Sequence, residues 1–552
     1  MSQLQGRKRS RIACETCREL KRKCDGAHPC GSCVRFEYDC TYQGSSSTSS
    51  KKRRKLRDKG HEPVIRSSPG KIDARTFRSE DAASATTSPN HLQSLEANSG
   101  AAFLRRLALR LDPKNAPRMH TFAWNAFLGA RKTPDTPVCR SITDMLSRSE
   151  MQNLATVYFE KIDPVYGFLD SYSITQQIGN RWVTLGEEQP QDAILCGIAA
   201  LGCMYSQVEP LAVELDLVES ARIRLEEKMA DAPSVSSITA WLLRVVYLRV
   251  AGAPHTAWMA SSILMHMVEA CGLHCEPSDE SVLPSTHGEV DPEIRKRLLA
   301  VSQHLNIWIS FDTGRSRVSI CNAAMEMPCP RQGDYTVEIM ELLPYSADLD
   351  PQRSPDASAL ESSLVAVLNR THSSSPSNLA QCNLMLCLCR RLQSMNTSFT
   401  GKMLDQILSL TAKGIAAAQA ILDDRAPWHH MANVPFQIVC VLLAIDTVSS
   451  IAQLKDGMQC LSNVATVYNT DATREALNTA SLLILLHQRR KEKCASDLND
   501  LLKLFPVAPV QEVQNESPSQ QPEDMRWLNS LAGDLSSLDY ADFDRFLFPA
   551  MF

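Results

Sequence analysis

The chain has 552 residues, 44% of them hydrophobic and 22% charged, enough to bury a core in roughly three or four structural units. With 22 Gly and 29 Pro it is neither collagen-like nor low-complexity throughout. The net charge of −4 conceals an asymmetry: residues 1–57 hold 15 Lys/Arg against 5 Asp/Glu, which leaves −14 on the remaining 495. A basic head on an acidic body predicts a polyanionic partner at one end only. No apolar run approaches the ~18 residues of a membrane span, and the opening MSQLQGRKRSR has no apolar stretch of signal-peptide type. The expectation is a soluble intracellular chain that does not enter a membrane. Its 19 cysteines are then metal ligands or buried thiols instead of disulfides.

Six of those cysteines fall between residues 14 and 40: Cys14, Cys17, Cys24, Cys30, Cys33 and Cys40. The spacing is C-x2-C-x6-C-x5-C-x2-C-x6-C, two similar halves, each with a pair close enough to grip one ion. Two separate tetrathiolate sites need eight sulfurs, and six are present. Sharing two sulfurs between two zinc ions supplies the deficit, whereas RING and LIM arrangements use eight ligands. A segment of about 30 residues lacks an adequate core, so the metal must fold it. Residues 18–23, Arg-Glu-Leu-Lys-Arg-Lys, read as a short helix projecting positive charge toward phosphates and base edges.

This segment resembles the fungal binuclear zinc-cluster transcription factors at every cysteine interval. The similarity extends to Arg18, Lys21 and Lys23, to Asp25-Gly26 and to Pro29. The resemblance implies that Cys14 and Cys30 bridge the two Zn(2+) ions, with Cys17 and Cys24 completing one site and Cys33 and Cys40 the other. It also implies base contacts from the first helix, through Lys21 and then Arg22, on CGG-type triplets of double-stranded DNA. Arg18 and Lys23 are expected on phosphate.

Beyond this unit (residues 1–45), a Ser-rich linker is expected to be disordered through residue 100. Within it Lys51, Lys52, Arg53, Arg54 and Lys55 form either a nuclear import signal or a second phosphate-gripping arm. No run of three heptads follows, so homodimerisation has no clear coiled coil to use, and monomeric binding is equally open. Leu104, Leu107 and Leu111 predict one short helix before Pro113, within a connecting region of helices over 101–150.

Residues 151–505 read as an all-α domain. Apolar residues recur at spacings of three and four: Leu154, Val157 and Tyr158; Leu211, Leu215, Val218 and Leu225; Ile238, Trp241, Leu242, Val245 and Val246. Further stripes are Met259, Ile263, Met267 and Ala270, then Leu404, Leu408, Thr411, Ile415, Ala418 and Leu422. The Ser-, Pro- and Asp-rich stretch 345–378 predicts an inserted surface loop. No enzyme motif occurs, so the chain is not expected to be an enzyme. His429-His430 beside Trp428 is expected to be a surface or partly buried pair, and Cys382, Cys387 and Cys389 small core residues.

The same region is similar to the regulatory domain, or middle homology region, found downstream of the fungal zinc cluster. The similar stretches are Tyr158-Phe159-Glu160 through Pro164-Val165-Tyr166, Ala270-Cys271-Gly272-Leu273-His274, and Arg295-Lys296-Arg297-Leu298 followed by Ile309-Ser310-Phe311 and Gly314-Arg315. The sequence departs from that pattern at Asn306-Ile307, in place of Asp-Arg, and at Ser316, in place of Pro.

The last segment, 506–552, is acidic: eight Asp/Glu against two Arg lie between 507 and 552. Trp527, Leu528, Leu531, Leu535 and Leu538 recur at helical spacing, followed by Phe543, Phe546 and Phe548. This predicts an activation segment that folds on a transcriptional coactivator, or else a terminal helix capping the domain. The fold class expected for the whole chain is mostly α. The resemblance implies a nuclear, sequence-specific regulator of RNA polymerase II genes, pathway-specific and serving a natural-product gene cluster. The alternative is a zinc adaptor or corepressor that acts through protein contacts without binding DNA.

Overall fold

The computed structural model describes residues 100–113 and 139–505, apart from 185, 187, 208, 276–290, 321–325 and 351–355, and the single positions Arg18, Cys24, Leu128 and Arg131. The chain divides into two units, residues 1–84 and 85–552, and the helical body belongs to the second. Across 100–505 the described residues form seventeen α-helices and no β-strand. None is long and apolar enough to cross a membrane.

Helix α1 (Gly100–Leu111) buries Leu104, Leu107 and Leu111, as their spacing predicts. The first half of the body comprises α2 (Ile142–Met145), α3 (Arg148–Lys161), α4 (Ser171–Arg181), α5 (Asp192–Ser206) and α6 (Ala212–Glu227). It continues with α7 (Val235–Ala251), α8 (Pro254–Cys271) and α9 (Pro292–Thr313). Helix α5 is buried nearly all round and packs against α3, α6 and α7. Its Gly202 sits where a Cβ would lie 2.4 Å from the Leu154 carbonyl oxygen, so the α3–α5 crossing is close because that side chain is absent.

Short helices α10 (Thr336–Met340) and α11 (Leu343–Ser346) lead to the second half. There lie α12 (Ala357–Leu368), α13 (Ser375–Ser394), α14 (Gly401–Asp423), α15 (Val434–Ile445), α16 (Val448–Tyr468) and α17 (Asp471–Leu504). Helix α15 is the apolar run of the sequence, buried from Val434 to Ala444, and packs against α13, α16 and α17. One continuous apolar core joins the two halves.

The helix ends follow from local chemistry. Ser147 and Glu150 form a capping box on α3, and Ser234–Ser237, Thr447–Ser450 and Thr470–Thr473 do the same for α7, α16 and α17. Helices α8 and α9 both stop at a left-handed glycine, Gly272 (φ 72°) and Gly314 (φ 65°). After Gly272 the chain turns Leu273 into the core, where it is 1% exposed.

Three expectations need correction. The stretch 345–378 is not an inserted loop: it holds a 3-10 turn (Ala347–Leu349) and helix α12, which buries Leu360, Leu364 and Val367, and it runs into α13. Several of its polar residues serve the helix ends. The Asp356 carboxylate accepts the Ala359 N–H at 2.7 Å, Ser374 caps α13, and Pro376 sits in the first turn of α13. On α8 the buried face is Ala257, Ala260, Leu264 and Val268, while Met259 is 42% exposed, because small residues let α7 and α9 approach. Leu211 precedes α6 and is exposed, and the core face there is Leu217, Ala221 and Leu225.

Candidate nucleic-acid interface and the polar centre of the helical body

Arg18 lies in helical conformation with an exposed side chain, and Cys24 is half-buried outside a helix. The partner positions Cys14, Cys17, Cys30, Cys33, Cys40, Lys21, Arg22 and Lys23 lie outside the described residues. So do Lys51 to Lys55 and Phe543, Phe546 and Phe548. The donor set fits zinc: six sulfurs in two C-x2-C-x6-C-like halves can satisfy two tetrahedral ions only by sharing. Among the described residues no group of three or more His, Cys, Asp or Glu could hold a metal.

Within the body, a buried polar centre ties the two halves together. Arg249 on α7 donates to Asp312 on α9 at 3.1 Å, and both side chains are 3% exposed. From α13, the Asn383 amide donates to the other Asp312 oxygen at 3.2 Å, and Gln437 on α15 donates to Asn383 at 3.0 Å. A stack of rings runs beside this chain. Tyr166 lies 5.5 Å from Trp428, Trp428 4.7 Å from His429, His429 4.1 Å from His430, and His430 5.8 Å from Trp308. His304 closes on Trp308 at 4.7 Å.

Burial, with help from the Arg249 charge, holds His304, His429 and His430 well below the ordinary imidazole range, so all three are neutral. Burial also raises Asp312, against the pull of Arg249 and Asn383. The two adjacent histidines are therefore interior residues, not a surface or half-buried pair. They occupy a 3-10 turn (His429–Ala432), which turns both rings inward. The thiols of Cys382, Cys387 and Cys389 are buried and raised, Cys387 to about 11, so they stay protonated and pack as small apolar groups.

A second hub ties together stretches that are far apart in the sequence. Arg297, fully buried, donates to Glu293 at 2.7 Å, to the Gly167 carbonyl at 2.9 Å and to the Cys329 carbonyl at 2.6 Å, and pairs with Asp334. Gly167 follows the Pro164-Val165-Tyr166 stretch, and its N–H donates to Thr336 at 3.0 Å. Nearby Asp163 is pushed up to about 7 by burial and then by Asp334, with Arg297 opposing. At the departures from the resembled pattern, Asn306 donates to Ser261 at 3.2 Å and accepts the Val318 N–H at 3.0 Å. The Ser316 carbonyl accepts from the Trp258 indole at 2.8 Å.

Sequence reading missed Arg249, Asp312, Asn383 and Gln437. A signal existed for two of them: Gln437 interrupts an apolar run, and Asp312 sits between Phe311 and Gly314 in a recognised stretch. Their pairing was not readable, because Asp312 and Asn383 are 71 residues apart.

Residues 12–49 match the fungal Zn(2)-Cys(6) binuclear cluster domain, and residues 155–432 match the fungal specific transcription factor domain. The chain is 65% identical to Protein RDR1 of Gibberella zeae, over the whole of both chains. It is 37% identical to transcription factor kojR of Aspergillus oryzae, over 98% of this chain and 94% of that one. It is 29% identical to Protein RDR1 of Saccharomyces cerevisiae, over 88% and 91% of the two chains. The cluster domain carries two zinc ions on six cysteines and binds DNA. The chain therefore belongs to the fungal transcription factor family that joins a binuclear zinc cluster to a helical regulatory domain, and it is a DNA-binding transcription factor.

Proposed function

We propose that this factor reads CGG-type triplets through the first helix of its cluster and acts in the nucleus on RNA polymerase II genes of one metabolic pathway. The observation that carries this reading is the pairing of the six-cysteine spacing with the basic run Arg18, Lys21, Arg22 and Lys23. In the proposed arrangement Cys14 and Cys30 each serve both ions, Lys21 and Arg22 reach base edges, and Arg18 and Lys23 hold phosphate. The run from Lys51 to Lys55 supplies the nuclear address. The acidic segment 506–552 engages coactivators through Phe543, Phe546 and Phe548.

Selection of bound duplexes from a random pool by gel shift tests the reading directly. Enrichment of CGG triplets supports it. Binding to every duplex alike removes the specificity, and no binding favours a zinc adaptor acting through protein contacts. Fusing 520–552 to an unrelated DNA-binding domain tests the tail: reporter activity should appear and be lost when the three Phe become Ala.

A further inference from the structure

Helix α17 is longer than the body that supports it. Its first half seats Ala476, Ala480, Leu483 and His487 in the core. From Lys491 to Phe505 every residue is exposed, an overhang of about 22 Å at 1.5 Å per residue. The core-facing stripe does not end with the body. Counting on from His487 in steps of four and three leads to Cys494, Leu498, Leu501 and Phe505, with Leu502 alongside. Leu498, Leu501, Leu502 and Phe505 are 61%, 53%, 57% and 74% exposed. An apolar stripe on a helix that leaves its support is a face made for a partner.

Charge order identifies the occupant. The base of the overhang carries Arg489, Arg490, Lys491 and Lys493 against Glu492, and its tip carries Asp497 and Asp500, the latter paired with Lys503 at 2.9 Å. The sequence that follows holds Pro506 and Pro509 and then carries Trp527, Leu528, Leu531, Leu535 and Leu538 at helical spacing. Arg526 stands at the start of that segment, and Asp534, Asp539, Asp542 and Asp544 crowd toward its end. Laid antiparallel, the segment puts Asp539, Asp542 and Asp544 beside the basic base. Laid parallel, it would set Arg526 against those cations. The residues between Phe505 and Trp527 are ample to reverse the chain, and the tether raises the effective concentration to about the millimolar range.

We propose that residues 525–544 dock as an antiparallel helix along the overhanging half of α17. The contact goes beyond the activation reading and does not depend on it. It uses Trp527, Leu531 and Leu535, so a coactivator that engages those side chains competes with α17 for them.

Hydrogen–deuterium exchange on the full-length protein tests the contact. Amides of 525–540 should exchange about tenfold more slowly than in the double variant Leu498→Asp/Leu501→Asp, whose substituted positions are exposed and leave the body's own exchange unchanged. Leu531→Asp/Leu535→Asp should in turn deprotect 494–505. Arg489→Glu/Lys493→Glu should loosen the tail, and adding Asp534→Lys/Asp539→Lys should restore protection. Tail exchange that ignores the α17 substitutions overturns the proposal. Protection of 494–505 that rises with protein concentration and survives the tail substitutions also overturns it, and assigns the stripe to a second copy. Reporter activity of the tail fusion is a separate readout, so loss of one reading does not remove the other.

Discussion

The zinc-cluster head and the helical body are specified in different ways. In the head, identity rests on six positions at fixed intervals, because metal–thiolate bonds replace a core too small to fold alone. In the body, identity is spread over helices whose apolar faces merge into one core, and no single interval is diagnostic. What is local and covalent-like can be read from spacing. What is distributed can be read only as a class, all-α, with its internal ties left open.

Substituting the head should therefore be all-or-none, and substituting the body graded. Cys14→Ala or Cys30→Ala should abolish duplex binding and both zinc ions, since in the proposed arrangement each removes a ligand from two sites. Cys40→Ala should retain more metal, and in all three the body's thermal transition should stay in place. Mass spectrometry for zinc and calorimetry for the transition check this, and a lowered transition would mean the two regions are not separately specified.

In the body the largest single effect should come from Asp312→Ala. It leaves the Arg249 guanidinium buried beside Asn383 without its carboxylate, a loss of about 3–5 kcal/mol by analogy with broken buried ion pairs. Chemical denaturation measures it, while zinc content should remain two per chain. On the DNA side, Lys21→Ala should cost about 1–3 kcal/mol at one base position, whereas Lys23→Ala should weaken all duplexes alike and lower the salt slope by about one. Titrations at several salt concentrations separate the two outcomes.

The smallest expected effect is on pH, and it too belongs to the body. Buried neutral, His304, His429 and His430 have depressed folded values, so their contribution is complete above the unfolded value of 6.5 and is lost as pH falls below it. Asp163 acts in the opposite sense between 3.8 and about 7, since the folded state holds its proton there. His372 and His487 are lowered as well, and these five imidazoles outnumber the raised carboxyls Asp163, Asp312 and Glu214, which leaves a net loss of stability on acidification from pH 7 toward 5. Denaturation midpoints across that range should fall, and a rising midpoint would mean that the carboxyls outweigh the imidazoles.

The body also shows where sequence reading stops. Helical spacing located the Ile238–Val246 face and the cysteines of α13, all of which are buried. The same spacing chose the less buried side of α8, whose core face is instead Ala257, Ala260, Ser261, Leu264, Met265 and Val268. Ser, Pro and Asp around 345–378 read as a loop, although Asp356, Ser374 and Pro376 among them start α12 and α13. Caps and loops draw on the same residue types, and only the buried Leu360, Leu364 and Val367 between them tell the two apart. The histidine pair is interior because the 3-10 turn that holds it buries both rings, a geometry that composition around Trp428 does not signal.

The central claim is a metal-folded DNA reader joined to a body that folds without metal. It is tested most directly by chelating the full-length protein while following zinc content, helicity and binding to a CGG-containing duplex together. The account predicts that two zinc ions are released and duplex binding is lost, with the helical signal and its melting temperature nearly unchanged. A single ion per chain, duplex binding that survives chelation, or collapse of the helical signal with the metal would contradict it.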